Sequence, residues 1–576
     1  MIDTGGSASL RNRDNHDGAQ HVERDTSSGA KKKKIELPPS PSRWFTKEYY
    51  FYYLLYIFAF PYILKVTYDF SSETHPNYKL YSDKLSDGWL FGRKVDNSDS
   101  QFSSIRDNYL YIGSSMVIYL IFSHLVNYMC TRGSFKCADR VAPRIYFFLS
   151  FSMIFLTFVY GLNIIKILLI VTANYLIAKS FGKSWLNPTV TWIFNLGILY
   201  ANESYSGYRY SMLSENLAFM DEYSGLFHQW YVLFNISMLR MVSFNMDYYW
   251  SFSHSSQGSI VPQKDGAPHP PADEKERAKT PCPASDYNFI YYLTYILYTP
   301  LFLAGPIITF NDFISQLRFP PKTLKVKTTI IYGLRVAGSI LLMEVMLHCF
   351  YVVSISKAKA WVGFSPLEMS MVGYLNLKLI WLKLFIIWRL FRFWAMADGI
   401  ETQENMLRCM TNNYSALGFW RSWHSSYNKW TIRYIYIPLG GNKKRQILNI
   451  GIVFTFVALW HDISSNLLAW AWLITLFILP EIILTTLFAK PKYQVKPWYR
   501  HVAAVGAVGN VILMMVANLV GFAVGVEGVK EMLIKIFALD GLLFIITMLV
   551  CIFATVQLMF EYREHERRKF GRYLNY

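Results

Sequence analysis

Residues 419–462 read FWRSWHSSYNKWTIRYIYIPLGGNKKRQILNIGIVFTFVALWHD. The two halves of this stretch follow different rules. Between Phe419 and Arg445, the rings of Trp420, Trp423, Trp430, Tyr434 and Tyr436 are interleaved with Arg421, His424, Asn428, Lys429 and Arg433. Such mixing suits a helix lying at a membrane interface. In one continuous helix His424 and Asn428 share a face, with Trp420 one turn earlier, and Pro438 with Gly440-Gly441 stops it. From Asn449 onward the chain is apolar until its last turn, which carries His461 and Asp462. An ionisable group in such a segment is costly and marks a functional candidate. Imidazole suits proton transfer near neutrality. Taken singly, each histidine fits a structural place equally well: His461 as a helix end at headgroup level, His424 within an aromatic-rich interfacial helix.

The rest of the chain sets this stretch in a membrane. Of 576 residues, 53% are hydrophobic and 17% charged, and the 41 Tyr, 42 Phe and 17 Trp make the chain 17% aromatic. Charge is too sparse for an ordinary soluble protein, and apolar content too high for a disordered one. Apolar runs near 49–67, 109–129, 145–160, 162–180, 186–200, 231–248, 287–310, 329–352, 371–396, 448–462, 467–489, 500–522 and 541–560 approach the roughly 20 residues a crossing needs. Several are short or broken, as by Pro300 and Pro306, and suit re-entrant segments. The expectation is an all-α polytopic membrane protein with about 11–13 transmembrane or re-entrant helices. No internal repeat is visible.

Polar stretches divide the chain. Residues 1–43, with Lys31 to Lys34 and then Pro38, Pro39 and Pro41, read as a disordered tail. Residues 44–570 form the membrane domain, interrupted by a Pro-rich, charged loop at 253–286 that also reads as disordered, and 561–576 form a charged tail. The net charge of +18 does not imply nucleic acid: Lys and Arg sit at the ends of apolar runs, as in loops that stay cytoplasmic, and no basic recognition motif appears.

Several chemistries are excluded by motif. None of the twelve histidines has Asp five residues on, and none pairs with another at i,i+3 or i,i+4, so no metal-binding helix of the HExxH kind exists. No GxSxG elbow occurs. The six cysteines include no CxxC, which leaves neither a zinc nor a redox motif. A Cys130–Cys137 bridge is allowed by spacing.

FWRSWHSSYNKW (419–430), RYIYIPLGG (433–441) and LWHD (459–462) together resemble the signature blocks of the membrane-bound O-acyltransferases. WLFGRKVDNSDSQ (89–101), YTPLFLAGPIITFNDF (298–313), ENMLRCMTNNYSALGFW (404–420) and LPEIILTTLF (479–488) are similar to a fungal branch of that family named for glycerol uptake. The resemblance covers roughly 45–570. It implies a helical bundle enclosing a catalytic tunnel, with acyl transfer from acyl-CoA to a hydroxyl and no metal or other cofactor. It places the family's nearly constant His at His461 and its variable His/Asn/Asp position at His424. For the branch it implies an endoplasmic-reticulum, multi-pass enzyme that remodels glycosylphosphatidylinositol (GPI) anchors. Its partners would be acyl-CoA, lyso-GPI-anchored proteins and membrane lipids, with the sn-2 hydroxyl of the lyso-phosphatidylinositol receiving a very long saturated chain.

The residues suit that chemistry. A lipid hydroxyl needs a base within hydrogen-bond reach, the role expected of His461. His424 would orient the hydroxyl or stabilise the oxyanion, and Asn428 would donate to the same oxyanion or tie the helix to a neighbour. Arg421 and Arg433 suit either CoA phosphates or lipid headgroups, and Trp420 and Trp423 stand beside them as substrate-binding candidates. Three rivals share the sequence, one of them a non-catalytic scaffold that modulates lipid or morphogen handling. A proton-coupled glycerol transporter, placed also in the plasma membrane, would use intramembrane His and Glu344 as relays. A protein acyltransferase resembling hedgehog acyltransferase would keep both histidines and change the acceptor.

Overall fold

The computed structural model describes residues 38–132, 141–227, 229–255, 263–264, 267–268, 271, 273–441 and 445–571. Residues 1–37, most of the 253–272 stretch, Cys137 and the last residues of the charged tail lie outside them, and with them most of the expected disordered segments and the Cys130–Cys137 pairing. The described residues are almost wholly helical, with one hairpin of two-residue strands at Gln263–Lys264 and Ala267–Pro268.

Nine helices among the described residues are long and apolar enough to cross a membrane: Lys47–Phe70, Tyr109–Cys130, Val141–Tyr160, Asn163–Phe181, Val326–Cys349, Pro366–Ala397, Ser465–Phe488, Tyr499–Ala523 and Leu539–Phe570. Their outward sides carry exposed Leu110, Ile154, Leu341, Leu476 and Ile546, where a water-soluble protein would place charge. Pro366–Ala397 is the central element, with 61% of its most apolar window buried against 11% for the peripheral Lys47–Phe70. It starts cleanly: Pro366 occupies the first turn, and Ser365 and Glu368 cap each other's backbone.

Two further long helices, Leu186–Ser204 and Trp230–Ser255, are more polar for a structural reason. Asn245 Nδ2 donates to Asn174 Oδ1 (3.2 Å) and Thr191 Oγ1 (2.9 Å), Asn195 Nδ2 donates to Asn174 Oδ1 (3.0 Å), and Asn174 Nδ2 donates to the Tyr292 hydroxyl (3.0 Å). All of these side chains are buried. Amides that bond across helices hold a bundle where lipid offers no hydrophobic drive. The 287–310 run is not a continuous helix: Phe289–Leu297 ends at Tyr298, and a short turn at Thr299–Phe302 follows, because Pro300 cannot continue the ladder.

Contacts assign the helix ends to two faces. Ser40 and Arg43 bond Glu564 and Glu561, Arg500 pairs with Glu48 (2.7 Å), Arg408 pairs with Glu566 (2.8 Å), and Arg144 donates to the Asp398 carbonyl (3.2 Å). These residues, with Lys47, Arg563, Arg567 and Arg568, give one face eight basic and five acidic side chains and so a net positive charge. The other face mixes signs and is built from residues 71–106 and 350–365, joined by Arg106–Glu344 (2.7 Å), Asn77 to the Val362 carbonyl (2.8 Å) and Asp96 to the Ser354 amide (2.9 Å).

The loop expected to be disordered and the charged C-terminal tail are both partly built into the fold. At the end of 253–286, Glu274–Lys279 is helical and Arg277 lies buried between Asp312 (2.6 Å) and Glu401 (2.9 Å). Asp286 pairs with Arg318 (2.5 Å). The final helix runs on to Phe570, burying Glu561 and Glu566 against Arg568 and Arg408. Charge in these stretches is paired, and a paired charge packs where a free one would not.

Candidate active site

The stretch Phe419–Tyr436 is not one interfacial helix. Ala416–Ser422 and Ser425–Thr431 are separate helices, broken at Trp423 and His424. Glu481 accepts from the Ala416 amide (2.7 Å) and caps the first helix. The second continues into a wider turn at Ile432–Tyr436, where the Tyr434 hydroxyl donates to Asp247 (3.0 Å). Glu481 and Asp247 both lie toward the basic face along their helices, whereas Tyr427 stacks on Trp460 (4.6 Å) deeper in the bundle. The pair is therefore a re-entrant hairpin with His424 at its tip. Trp420 does not lie on one continuous helix with His424 and Asn428 as expected, because the break falls before His424, whose carbonyl still accepts from the Asn428 amide (3.0 Å).

The tip is strained and well supported. His424 has φ 45° and ψ 54°, a left-handed conformation that costs a non-glycine residue about 1–3 kcal/mol. Asn405, itself buried, carries the loop: its carbonyl accepts from the Ser425 amide (2.9 Å) and its side-chain oxygen from the Ser426 amide (3.1 Å). Ser426 Oγ in turn accepts from the Ile307 amide (3.0 Å), and Leu407 donates to the Ser422 carbonyl (3.1 Å). Strain held by surrounding hydrogen bonds is a mark of a functional site.

His461 ends the helix Gln446–His461. Its neighbour Trp460 is locked by reciprocal bonds: Trp460 Nε1 donates to the Asn235 carbonyl (2.9 Å) and Asn235 Nδ2 donates to the Trp460 carbonyl (3.1 Å). The His461 ring stands edge-on to Trp460 (4.8 Å) and to Phe522 (6.4 Å). Asp462 is extended (φ −175°, ψ 140°) and faces Glu203, so it does not orient His461. The two histidines are linked through rings: His424 stacks on Tyr427 (5.1 Å), and Tyr427 on Trp460. Neither imidazole has a hydrogen-bond partner among the described residues.

Both histidines open onto one cavity of about 910 Å³. It reaches from Tyr436 and Gln446, toward the basic face, to Ser100, Gln101 and Gln229, toward the other. Its walls between are largely apolar, from Ile380, Leu384 and Phe391 of the central helix to Val453 and Val457 beside His461. Trp420, Arg421, Trp423 and Asn428 also line it. Arg421 is exposed there and makes no hydrogen bond or ion pair with a described residue. Arg433 is placed otherwise: it is not in the cavity wall, and its guanidinium holds the fully buried Asp247 (2.9 Å) and lies against Trp250. Its charge is needed inside the fold. Glu344, considered as a proton relay, is likewise fixed by Arg106 (2.7 Å) and Trp89 Nε1 (3.0 Å). Trp388, Tyr427 and Asn405 were missed in the sequence, since nothing in an apolar run or a lone Asn signals a partner distant in the chain. Among the described residues no three His, Cys, Asp or Glu side chains are grouped to hold a metal ion.

Comparison with known proteins agrees with this architecture. The profile of the membrane-bound O-acyltransferase family matches residues 177–526, which include both histidines and most of the cavity. The chain is 44% identical over 503 residues to Membrane-bound O-acyltransferase gup1 of Schizosaccharomyces pombe, covering 87% of this chain and 85% of that one. It is 42% identical over 542 residues to Membrane-bound O-acyltransferase GUP1 of Saccharomyces cerevisiae, covering 93% and 94%. A more distant similarity, 26% identity over 195 residues, links it to Protein-cysteine N-palmitoyltransferase HHAT of Mus musculus, over 32% of this chain and 39% of that one.

Proposed function

Because the chain belongs to the membrane-bound O-acyltransferase family, we propose that it moves a very long saturated acyl chain from acyl-CoA to the sn-2 hydroxyl of lyso-phosphatidylinositol in GPI anchors, as a multi-pass enzyme of the endoplasmic reticulum. The observation that carries the reading is that His424 and His461 open onto one cavity reaching toward both faces of the bundle. A donor and an acceptor that approach from opposite sides can then meet at the histidines.

The basic face is the cytoplasmic one by the distribution of Lys and Arg, and acyl-CoA enters there. Arg421, unpaired and open to the cavity, meets a donor phosphate. Trp420 and Trp423 pack on the acyl chain. The acceptor hydroxyl gives its proton to His461 as its oxygen adds to the thioester carbonyl. His424 orients that hydroxyl, and Asn428 donates to the oxyanion. When the tetrahedral intermediate collapses, the carbon–sulfur bond breaks and the thiolate takes the proton back from His461. The ester and free CoA leave, and His461 is neutral again. Thioester exchange is downhill, so alignment of the two substrates supplies much of the rate.

The experiment is reconstitution of the purified protein in phosphatidylcholine vesicles with lyso-phosphatidylinositol and a C26 acyl-CoA. Release of CoA thiol together with a product of diacyl mass supports the reading. Thiol release with no lipid product, or no turnover with this acceptor, contradicts it.

A further inference from the structure

The end of the cavity away from the basic face is lined by polar side chains with free hydrogen-bonding capacity. Ser100, Gln101, Ser104 and Gln229 all border it. Among the described residues, the Ser100 and Ser104 hydroxyls and both the carbonyl oxygen and the NH2 of the Gln229 side chain have no partner, and the Gln101 side chain uses only its carbonyl oxygen. Ser98 on the same segment is held instead, its Oγ bonding the Ser354 hydroxyl (2.7 Å) and the Lys84 carbonyl (3.0 Å).

The segment is rigidly placed. Asp99 accepts from the Gln101 amide (3.1 Å) and the Phe102 amide (2.9 Å), and takes Lys383 of the central helix at 2.6 Å. Lys383 also donates to Gln101 Oε1 (3.1 Å), which aims the rest of that side chain. Upstream, Asp96 accepts from the Val353 and Ser354 amides (3.0 and 2.9 Å). Downstream, Arg106 is held by Glu344 (2.7 Å). Lys383 lies five residues before Trp388, which stacks on His424. At 1.5 Å per residue the Lys383 backbone stands roughly 8 Å along the helix from that of Trp388, on the side away from the basic face.

The charges near the patch are paired, Lys383 with Asp99 and Arg106 with Glu344, so it offers hydroxyl and amide groups rather than a net charge. We propose that Ser100, Gln101, Ser104 and Gln229 form the headgroup subsite of the acceptor and take a polyhydroxylated, uncharged ring. This rests on the acyltransferase reading above and adds to it which part of the acceptor is recognised. A site built to bond hydroxyls rejects an analogue with fewer of them, because its own groups are left unpaired.

The test compares two acceptors of equal charge, lyso-phosphatidylinositol and lyso-phosphatidylglycerol, in the vesicle assay with the full chain. The wild type should favour the inositol lipid by about tenfold in kcat/KM. Gln101→Ala with Ser104→Ala should bring that ratio near one, through a raised acceptor KM and with the KM for acyl-CoA within twofold of wild type. Gln229→Ala, outside the helices, reads the same subsite without burdening the fold, and should lower the ratio by about threefold. A preference that survives in these variants overturns the subsite while leaving the acyltransferase reading intact. A wild type that acylates neither lipid overturns that reading and the subsite with it.

Discussion

The imidazole of His424 lies flat against the indole of Trp388, with ring centres 4.2 Å apart and planes 23° from parallel. Trp388 belongs to the central helix, and His424 is the tip of the re-entrant hairpin. The stack therefore fixes a strained residue to the most buried of the candidate membrane-spanning helices. Such a contact is worth about 1 kcal/mol. Trp388→Ala should lower kcat roughly fivefold if that energy acts wholly on orientation, and Trp388→Phe should recover most of it. Turnover of the purified variants checks both.

The left-handed backbone at His424 separates its chemistry from its conformation. Asn adopts this region several times more readily than Ala. His424→Asn should melt within a degree or two of the wild type and keep part of the activity, because its amide can still orient a hydroxyl. His424→Ala should melt lower and lose about 100-fold in kcat. Equal melting temperatures for the two variants would show that the strain is not felt.

Asn405 has no contact with substrate in this scheme and acts through the loop. Its side-chain oxygen is the acceptor for the Ser426 amide, 3.1 Å away. Asn405→Ala leaves that buried N–H unpaired, at about 1–3 kcal/mol. Melting temperature and kcat should fall together, with both KM values little changed.

Arg421 and Arg433, twelve residues apart in a basic stretch, should behave in opposite ways. Arg421→Ala should raise the KM for acyl-CoA about tenfold with unchanged stability, and Arg421→Lys should do less. Arg433→Ala strips the buried Asp247 of its cation, a loss of about 3–5 kcal/mol, and should show as poor accumulation and early melting. Thermal unfolding and donor titration, run side by side, distinguish the two.

That contrast shows where the sequence could be read and where it could not. The all-helical membrane class followed from the apolar runs, and the family from the resemblance of FWRSWH and LWHD to its signature blocks. The break at His424 did not, since Trp423 and Ser425 carry no breaker signal and the positive φ is imposed by bonds to Asn405, Leu407 and Ile307. Arg421 and Arg433 read alike until Asp247, on another helix, claims one of them. The residues at the far end of the cavity, Ser100 to Ser104, lie at and just beyond the end of WLFGRKVDNSDSQ, a stretch that carries the family resemblance but no sign of a place in the site. Only the approach of Lys383 to Asp99 brings them to the site.

The most direct test compares wild type with His461→Ala in a host that lacks its own copy, by recording the masses of protein-bound anchor lipids. His461 ends an apolar helix without a hydrogen-bond partner among the described residues, so its removal should spare the fold. The expected result is diacyl anchors with very long chains in the wild type and lyso anchors in the variant at equal protein abundance. Identical diacyl anchors from the two proteins would contradict a base at His461, and identical lyso anchors would contradict the anchor-remodelling function.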